Sequence, residues 1–126
     1  MKKTLFFLFL SCVFAFANSL SEIRQNRVVR IAVYENEPPF SRVVDGDFEG
    51  FDVELANALG GKILGAAGGR IELIPVSAQA RFSSIQNNQA DMVIAAASIT
   101  EERKKIYDFS MPYLSVNSGV LTRKSD

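Results

Sequence analysis

Arg81 and Arg103 occupy equivalent points of two strand-to-helix turns. In the first turn the apolar run Ile71 to Val76 ends, Ser77 follows as a capping residue, and Arg81 comes about one turn into the next helical pattern. In the second, the run Asp91 to Ala97 ends, Ser98 and Thr100 follow, and Arg103 falls in the first turn of a short helix. A helix N-terminus offers free backbone N–H groups and a positive dipole end. A guanidinium adds a fork of donors matched to a carboxylate. The first turn of a helix favours acids, and Glu101 and Glu102 follow that preference. Arg103 opposes it and so calls for an anionic partner. The chemistry this suggests is non-covalent capture of an anionic group. A plainer reading stands beside it: Arg103 pairs with Glu101 or Asp108 at the surface, Arg81 is solvated, and Ser77, Ser98 and Thr100 only cap helices. Asp91 is either buried or capping.

Composition narrows the chemistry further. There is no His, and Cys12 is the only Cys. Residues 1–17 read as an export signal: Lys2 and Lys3, an apolar stretch from Thr4 to Phe14, and Ala15-Phe16-Ala17 as a cleavage site. The stretch is shorter than the ~20 residues a membrane-spanning helix needs. A second reading makes Cys12 a lipid-modified N-terminus, on the loose likeness of Phe9-Leu10-Ser11-Cys12 to a lipoprotein box. Cleavage after Ala17 leaves a chain without Cys or His, which removes thiol catalysis, the commonest general base and Cys-bearing zinc sites. Loss of Lys2 and Lys3 leaves twelve basic residues against fourteen acidic ones. A formal charge of −2 with no basic cluster argues against nucleic acid as a partner. Gly60-Gly61-Lys62-Ile63 lacks the spacing of a phosphate loop. No metal site and no cofactor is expected.

The elements that must position the arginines follow from periodicity. Ser21 to Arg27 is a short polar lead-in, and Val28 to Tyr34 alternates as a strand. Pro38-Pro39 interrupts regular structure, and Asp45-Gly46 turns a small hairpin. Gly50 opens a helix marked by Val53, Ala56 and Leu59, ending either at Gly60-Gly61 or at Leu64 with Gly65 as cap. Ile71 to Val76 is the second strand. A helix with Ala78, Phe82 and Ile85 on its buried face runs to about Asn88. Asp91 to Ala97 is a third strand, apolar enough to be buried on both faces. Thr100 caps a short helix, Asp108 to Tyr113 is a loop or short strand, and Val116 to Arg123 is a last strand. This alternation predicts an α/β fold, a mostly parallel sheet with helices on both faces. Ligands of such sheets bind beyond the C-terminal ends of the strands.

Four stretches, in order, resemble the polar amino acid branch of extracytoplasmic solute-binding proteins, the receptors of ABC importers. They are Arg30 to Tyr34 with Pro38-Pro39-Phe40; Gly50 to Ala56; Gln89 to Ile94; and Ser98 to Lys105 with Asp108-Phe109-Ser110 and Pro112-Tyr113. The resemblance implies a periplasmic-binding-protein-like (type II) fold with two lobes closing on a free amino acid. On that pattern residues 1–17 are signal peptide, 18–27 a lead-in, and 28–124 the first part of lobe one, which stays incomplete, with lobe two absent. The sequence then reads as a fragment or truncated frame. Arg103 matches the arginine that binds the ligand α-carboxylate, and Ser98 a hydroxyl that also contacts it. Ala96 matches a position whose backbone carbonyl accepts from the α-ammonium. Arg81 matches an arginine of one subset that meets a side-chain carboxylate in a Ser-x-Asn-Arg segment. Here the segment is Ala78-Gln79-Ala80-Arg81, which departs at Ala78 and Ala80. Tyr34 and Glu37 line the first loop. The resemblance implies a periplasmic, monomeric binding protein rather than an enzyme, partnered by an importer permease, with Asp or Glu as first-choice ligand and Cys or another small polar amino acid next. The same fold also hosts cyclohexadienyl dehydratases, a lobe of lytic transglycosylases, and sensor domains of membrane receptors.

Overall fold

The computed structural model describes residues 18–124. The expected export signal, residues 1–17, and Cys12 lie outside the described residues. The chain divides into a first unit ending at Ala96 and a second beginning at Ala97.

In the first unit a helix α1 (Leu20–Asn26) leads into strand β1 (Val28–Tyr34). A small antiparallel sheet follows, made of β2 (Asn36–Glu37), β3 (Ser41–Val44) and β4 (Asp47–Glu49). Helix α2 (Phe51–Leu64), strand β5 (Arg70–Val76), helix α3 (Ala80–Gln86) and strand β6 (Met92–Ile94) complete the unit. The main sheet has the order β5-β1-β6 with all pairs parallel. Its register sets Tyr34 beside Val76 and Val33 beside Ile94, so the strands finish at one edge.

Side-chain alternation gives the sheet two buried faces. Val29, Ile31 and Val33 of β1 pack with Ile23 of α1, Ala56 and Leu64 of α2, and Ile94. Ala32 and Tyr34 point the other way and pack with Val76, Ala90 and Ala95, against Ala80 of α3. Helices therefore cover both faces, as the pattern predicts.

The entry to α2 explains Pro38-Pro39-Phe40. Its N-cap, Gly50, has no side chain to offer, so the free N–H groups of Phe51 and Asp52 go to the carbonyls of Pro39 and Phe40, at 3.2 and 2.8 Å. Gly50 has φ 130°, and a Cβ there would collide with the Phe40 carbonyl. Both features require glycine. At its far end α2 runs through Gly60-Gly61 to Leu64, with Gly65 as C-cap.

Three expectations are corrected. The helix after Ser77 starts at Ala80, not at Ser77, although the Ser77 hydroxyl accepts from the Ala80 N–H at 3.2 Å. Its buried residue is Ser84, while Ala78 is exposed and Phe82 and Ile85 are half-buried. Strand β6 holds only Met92–Ile94, because Ala96 takes a left-handed φ of 45°, which ends extended structure. No strand forms over Val116 to Arg123. That segment is exposed and, among the described residues, pairs with nothing, and a strand needs a hydrogen-bonded neighbour.

In the second unit, α4 (Glu101–Lys104) is capped as expected, the Thr100 hydroxyl accepting from the Arg103 N–H at 3.2 Å. Residues 108–113 are irregular. Among the described residues no helix is long and apolar enough to cross a membrane.

Candidate functional site

In the first unit the C-terminal strand edge gathers Tyr34, Arg81, Ala95 and Ala96. Arg81 sits in the first turn of α3, just past the end of β5. Its Nη1 donates to the Tyr34 hydroxyl at 2.6 Å, to the Ala95 carbonyl at 2.9 Å and to the Ala96 carbonyl at 3.1 Å. The guanidinium carbon lies 5.7 Å from the Tyr34 ring centre and 5.3 Å from that of Phe82, within cation–π range. Among the described residues Arg81 makes no ion pair, so every partner it has is neutral. The solvated reading of Arg81 is thereby replaced by a held guanidinium. Tyr34 is itself fixed from behind: the buried Ser41 hydroxyl donates to its carbonyl at 2.5 Å.

The left-handed torsion at Ala96 is uncommon for a residue with a Cβ and costs about 1–2 kcal/mol. It turns an exposed residue out of the sheet immediately after the buried Ala95. Glu37 in β2 and Ala78 before α3 are exposed, and among the described residues neither side chain has a hydrogen-bond or ion-pair partner.

In the second unit Arg103 and Ser98 come together. The Arg103 Nη1 donates to the Ser98 carbonyl at 2.8 Å. Glu101, one of the surface partners considered for Arg103, is instead paired with Lys104 at 2.7 Å. Arg103 is half-buried and Ser98 exposed. In the second unit a concavity is lined by Ile99, Lys104, Tyr107, Phe109 and Pro112; in the first unit another is lined by Pro38, Pro39 and Glu54.

Asp91 is the polar residue whose place spacing leaves open. Its side chain is 2 % exposed and pairs with Arg30 at 2.6 Å. It also accepts from the Arg30 backbone N–H at 2.9 Å and from Asn18 Nδ2 at 3.1 Å. The hydrogen bonds that Arg30 donates to Asp91 outweigh desolvation and raise the Arg30 pKa above its ordinary value. Arg30 also donates to the Asn88 carbonyl and side chain. This cluster ties β1 to the approach of β6, so Asp91 is structural. The Ala95 carbonyl and the Phe82 ring are the parts of the Arg81 cluster that spacing does not reveal. Phe82 follows Arg81 directly, which is a signal for stacking, but helical periodicity assigns it to the core.

Comparison with known proteins bears on these residues. The family model for bacterial extracellular solute-binding proteins, family 3, matches residues 29–126. A glutamine-binding protein of Geobacillus stearothermophilus is 40 % identical over 79 residues, covering 63 % of this chain and 30 % of that protein. A cyclohexadienyl dehydratase of Pseudomonas aeruginosa is 30 % identical over 108 residues, covering 85 % of this chain and 39 % of the enzyme. The crystal structure of a cysteine-binding protein from Campylobacter jejuni superposes with a TM-score of 0.69 at 34 % identity, over 76 % of this chain and 39 % of that one. The chain thus spans well under half the length of each of these relatives. Its α/β architecture, with a parallel sheet covered on both faces, is a partial type II periplasmic-binding-protein domain. With the family model matched from β1 through the segment that carries Arg103, the chain belongs to the bacterial extracellular solute-binding proteins of family 3.

Proposed function

We propose that this protein binds a free amino acid outside the cytoplasm and delivers it to an ABC importer. The observation that carries the reading is the family match over residues 29–126, which spans both arginines. In this reading residues 28–124 are the first part of lobe one. The ligand α-carboxylate takes the fork of Arg103 and the Ser98 hydroxyl, and the Ala96 carbonyl accepts from the α-ammonium. Arg81 and Tyr34 border the side-chain end of the ligand, with Glu37 and Ala78 on the rim. The Arg103–Ser98 hydrogen bond supports a joint role for those two residues. Charge-assisted hydrogen bonds replace water as the lobes close.

An acidic ligand, Asp or Glu, is the first choice within this class. The support is Arg81, whose guanidinium is met only by neutral groups and so keeps an uncompensated positive charge at the strand edge. Arg81→Met should weaken binding of Asp and Glu more than binding of neutral amino acids. Titration calorimetry of the intact protein against the common amino acids tests both statements. Heat with none of them, from folded protein, would sink the reading, and equal losses across ligands would remove the acidic preference.

A second reading, an enzyme of the dehydratase kind, is favoured by the match to a cyclohexadienyl dehydratase. Turnover of prephenate by the intact protein would establish it.

A further inference from the structure

We propose that Arg81 is a positioning residue that holds Ala96 in its left-handed turn and so aims the Ala96 carbonyl. The geometry of consecutive carbonyls carries this. In an extended strand successive C=O groups point to opposite sides, whereas a helical torsion between them turns both the same way. Arg81 Nη1 takes the carbonyls of Ala95 and Ala96 together, at 2.9 and 3.1 Å. One nitrogen reaches both where the chain turns at Ala96, whose φ of 45° lies in the left-handed region. An alanine does not choose that torsion by itself. The guanidinium is in turn fixed by the Tyr34 hydroxyl at 2.6 Å and flanked by the Tyr34 and Phe82 rings. The chain therefore spends a rigid, three-acceptor cation on one backbone turn. A carbonyl oxygen has two lone pairs, so Ala96 keeps one for a second donor.

This inference rests on the amino acid reading only in its consequence for binding. Its structural half is independent of any ligand. It also separates two roles for one side chain: the charge of Arg81 acts on acidic ligands alone, while the aim of the Ala96 carbonyl acts on every amino acid.

The test uses the intact protein without ligand and then with L-glutamine and L-glutamate. In Arg81→Met, the backbone carbon shifts of Ala96 should move from left-handed toward extended values, and the Ala95 and Ala96 amides should exchange faster. Tyr34→Phe, which removes only the hydroxyl, should move the same shifts in the same direction by less, and it keeps the test alive if Arg81→Met does not fold. Adding Ala96→Gly, which permits the left-handed torsion without a Cβ, should restore part of the lost affinity. We expect Arg81→Met to weaken L-glutamine binding by roughly tenfold, and the double variant to recover at least a third of that factor on a logarithmic scale. Unmoved Ala96 shifts in both Arg81→Met and Tyr34→Phe overturn the proposal. So does a loss confined to L-glutamate that Ala96→Gly does not repair. Absence of binding by the unsubstituted protein sinks the amino acid reading instead and leaves the spectroscopic result to decide this one.

Discussion

A guanidinium and an ammonium carry the same charge but differ in shape. Arg103 offers two parallel N–H donors to a carboxylate, and Lys offers one compact point. Arg103 already gives Nη1 to the Ser98 carbonyl, so its fork is aimed by the same segment that carries the proposed hydroxyl contact. Arg103→Lys should lower amino acid affinity by about 1.5–3 kcal/mol, the scale of a hydrogen bond to a charged group. Calorimetry on the intact protein measures this, and unchanged affinity removes Arg103 from the site. At this scale the site was half legible. Strand-turn-Arg spacing pointed to Arg81 as more than a solvated helix residue, and the structure holds its guanidinium at the end of the sheet. The partners of Arg81 were not legible. Tyr34 lies forty-seven residues away and the two carbonyls belong to alanines, whose side chains carry no hydrogen-bonding signal. Asp91 was legible as buried or capping and proved to be buried: it caps no helix among the described residues and accepts from the Arg30 backbone as well as its guanidinium.

The elements show where local preference decides and where packing overrides it. Strand β1 keeps its expected bounds, Val28 to Tyr34, between the lead-in helix and the small antiparallel sheet. Helix α2 does not stop at Gly60-Gly61, although each interior glycine costs up to about 1 kcal/mol relative to alanine. Burial of Leu64 beyond the pair holds the last turn, and Gly60 lies against Ile71 of β5, where a Cβ would fall 2.8 Å from that side chain. Gly61 faces open space. Gly61→Ala should therefore stabilise the protein by about 0.5–1 kcal/mol, and Gly60→Ala should fall short of that gain or reverse it. Urea unfolding of the two variants checks the difference; equal gains would mean that the α2–β5 contact does not need glycine. Strand β6 is shorter than its apolar run because the turn at Ala96 is set by Arg81 rather than by anything an alanine encodes. At the other end, α1 begins with a reciprocal capping box. Ser19 accepts from the Glu22 N–H at 3.3 Å, and the Ser19 N–H donates to the Glu22 carboxylate at 2.7 Å. Bonds from the Ser19 hydroxyl and backbone lower the Glu22 pKa below its ordinary value. A depressed carboxyl pKa means that the helix gains stability from the ionised form above that value and loses it as pH falls through the folded pKa. Carboxyl shifts followed by NMR should give Glu22 a midpoint below that of an ordinary glutamate, and Ser19→Ala should return it to the ordinary range.

For the molecule as a whole, the two-faced sheet was legible because three apolar runs separated by helical patterns admit few other arrangements. The expected strand at Val116 to Arg123 was not a local property at all. Its apolar residues are exposed, Val120 at 88 % and Leu121 at 100 %, and only a neighbouring strand would order them. The N-terminal boundary is a different matter, since two residues next to the proposed cleavage point make contacts in the fold. Asn18 already bonds Asp91 through its side chain, and Ser19 caps α1. Cleavage after Ala17 would remove neither contact. The peptidase would cut next to the fold and leave Asn18 as the first residue, docked on the Arg30–Asp91 pair. The exported protein should then show the N-terminal sequence Asn-Ser-Leu and an intact mass free of lipid, and Cys12→Ser should change neither. Lipid at Cys12, with the protein in the membrane fraction, would overturn this. It would mean that residues 12–17 stay in the mature protein ahead of Asn18.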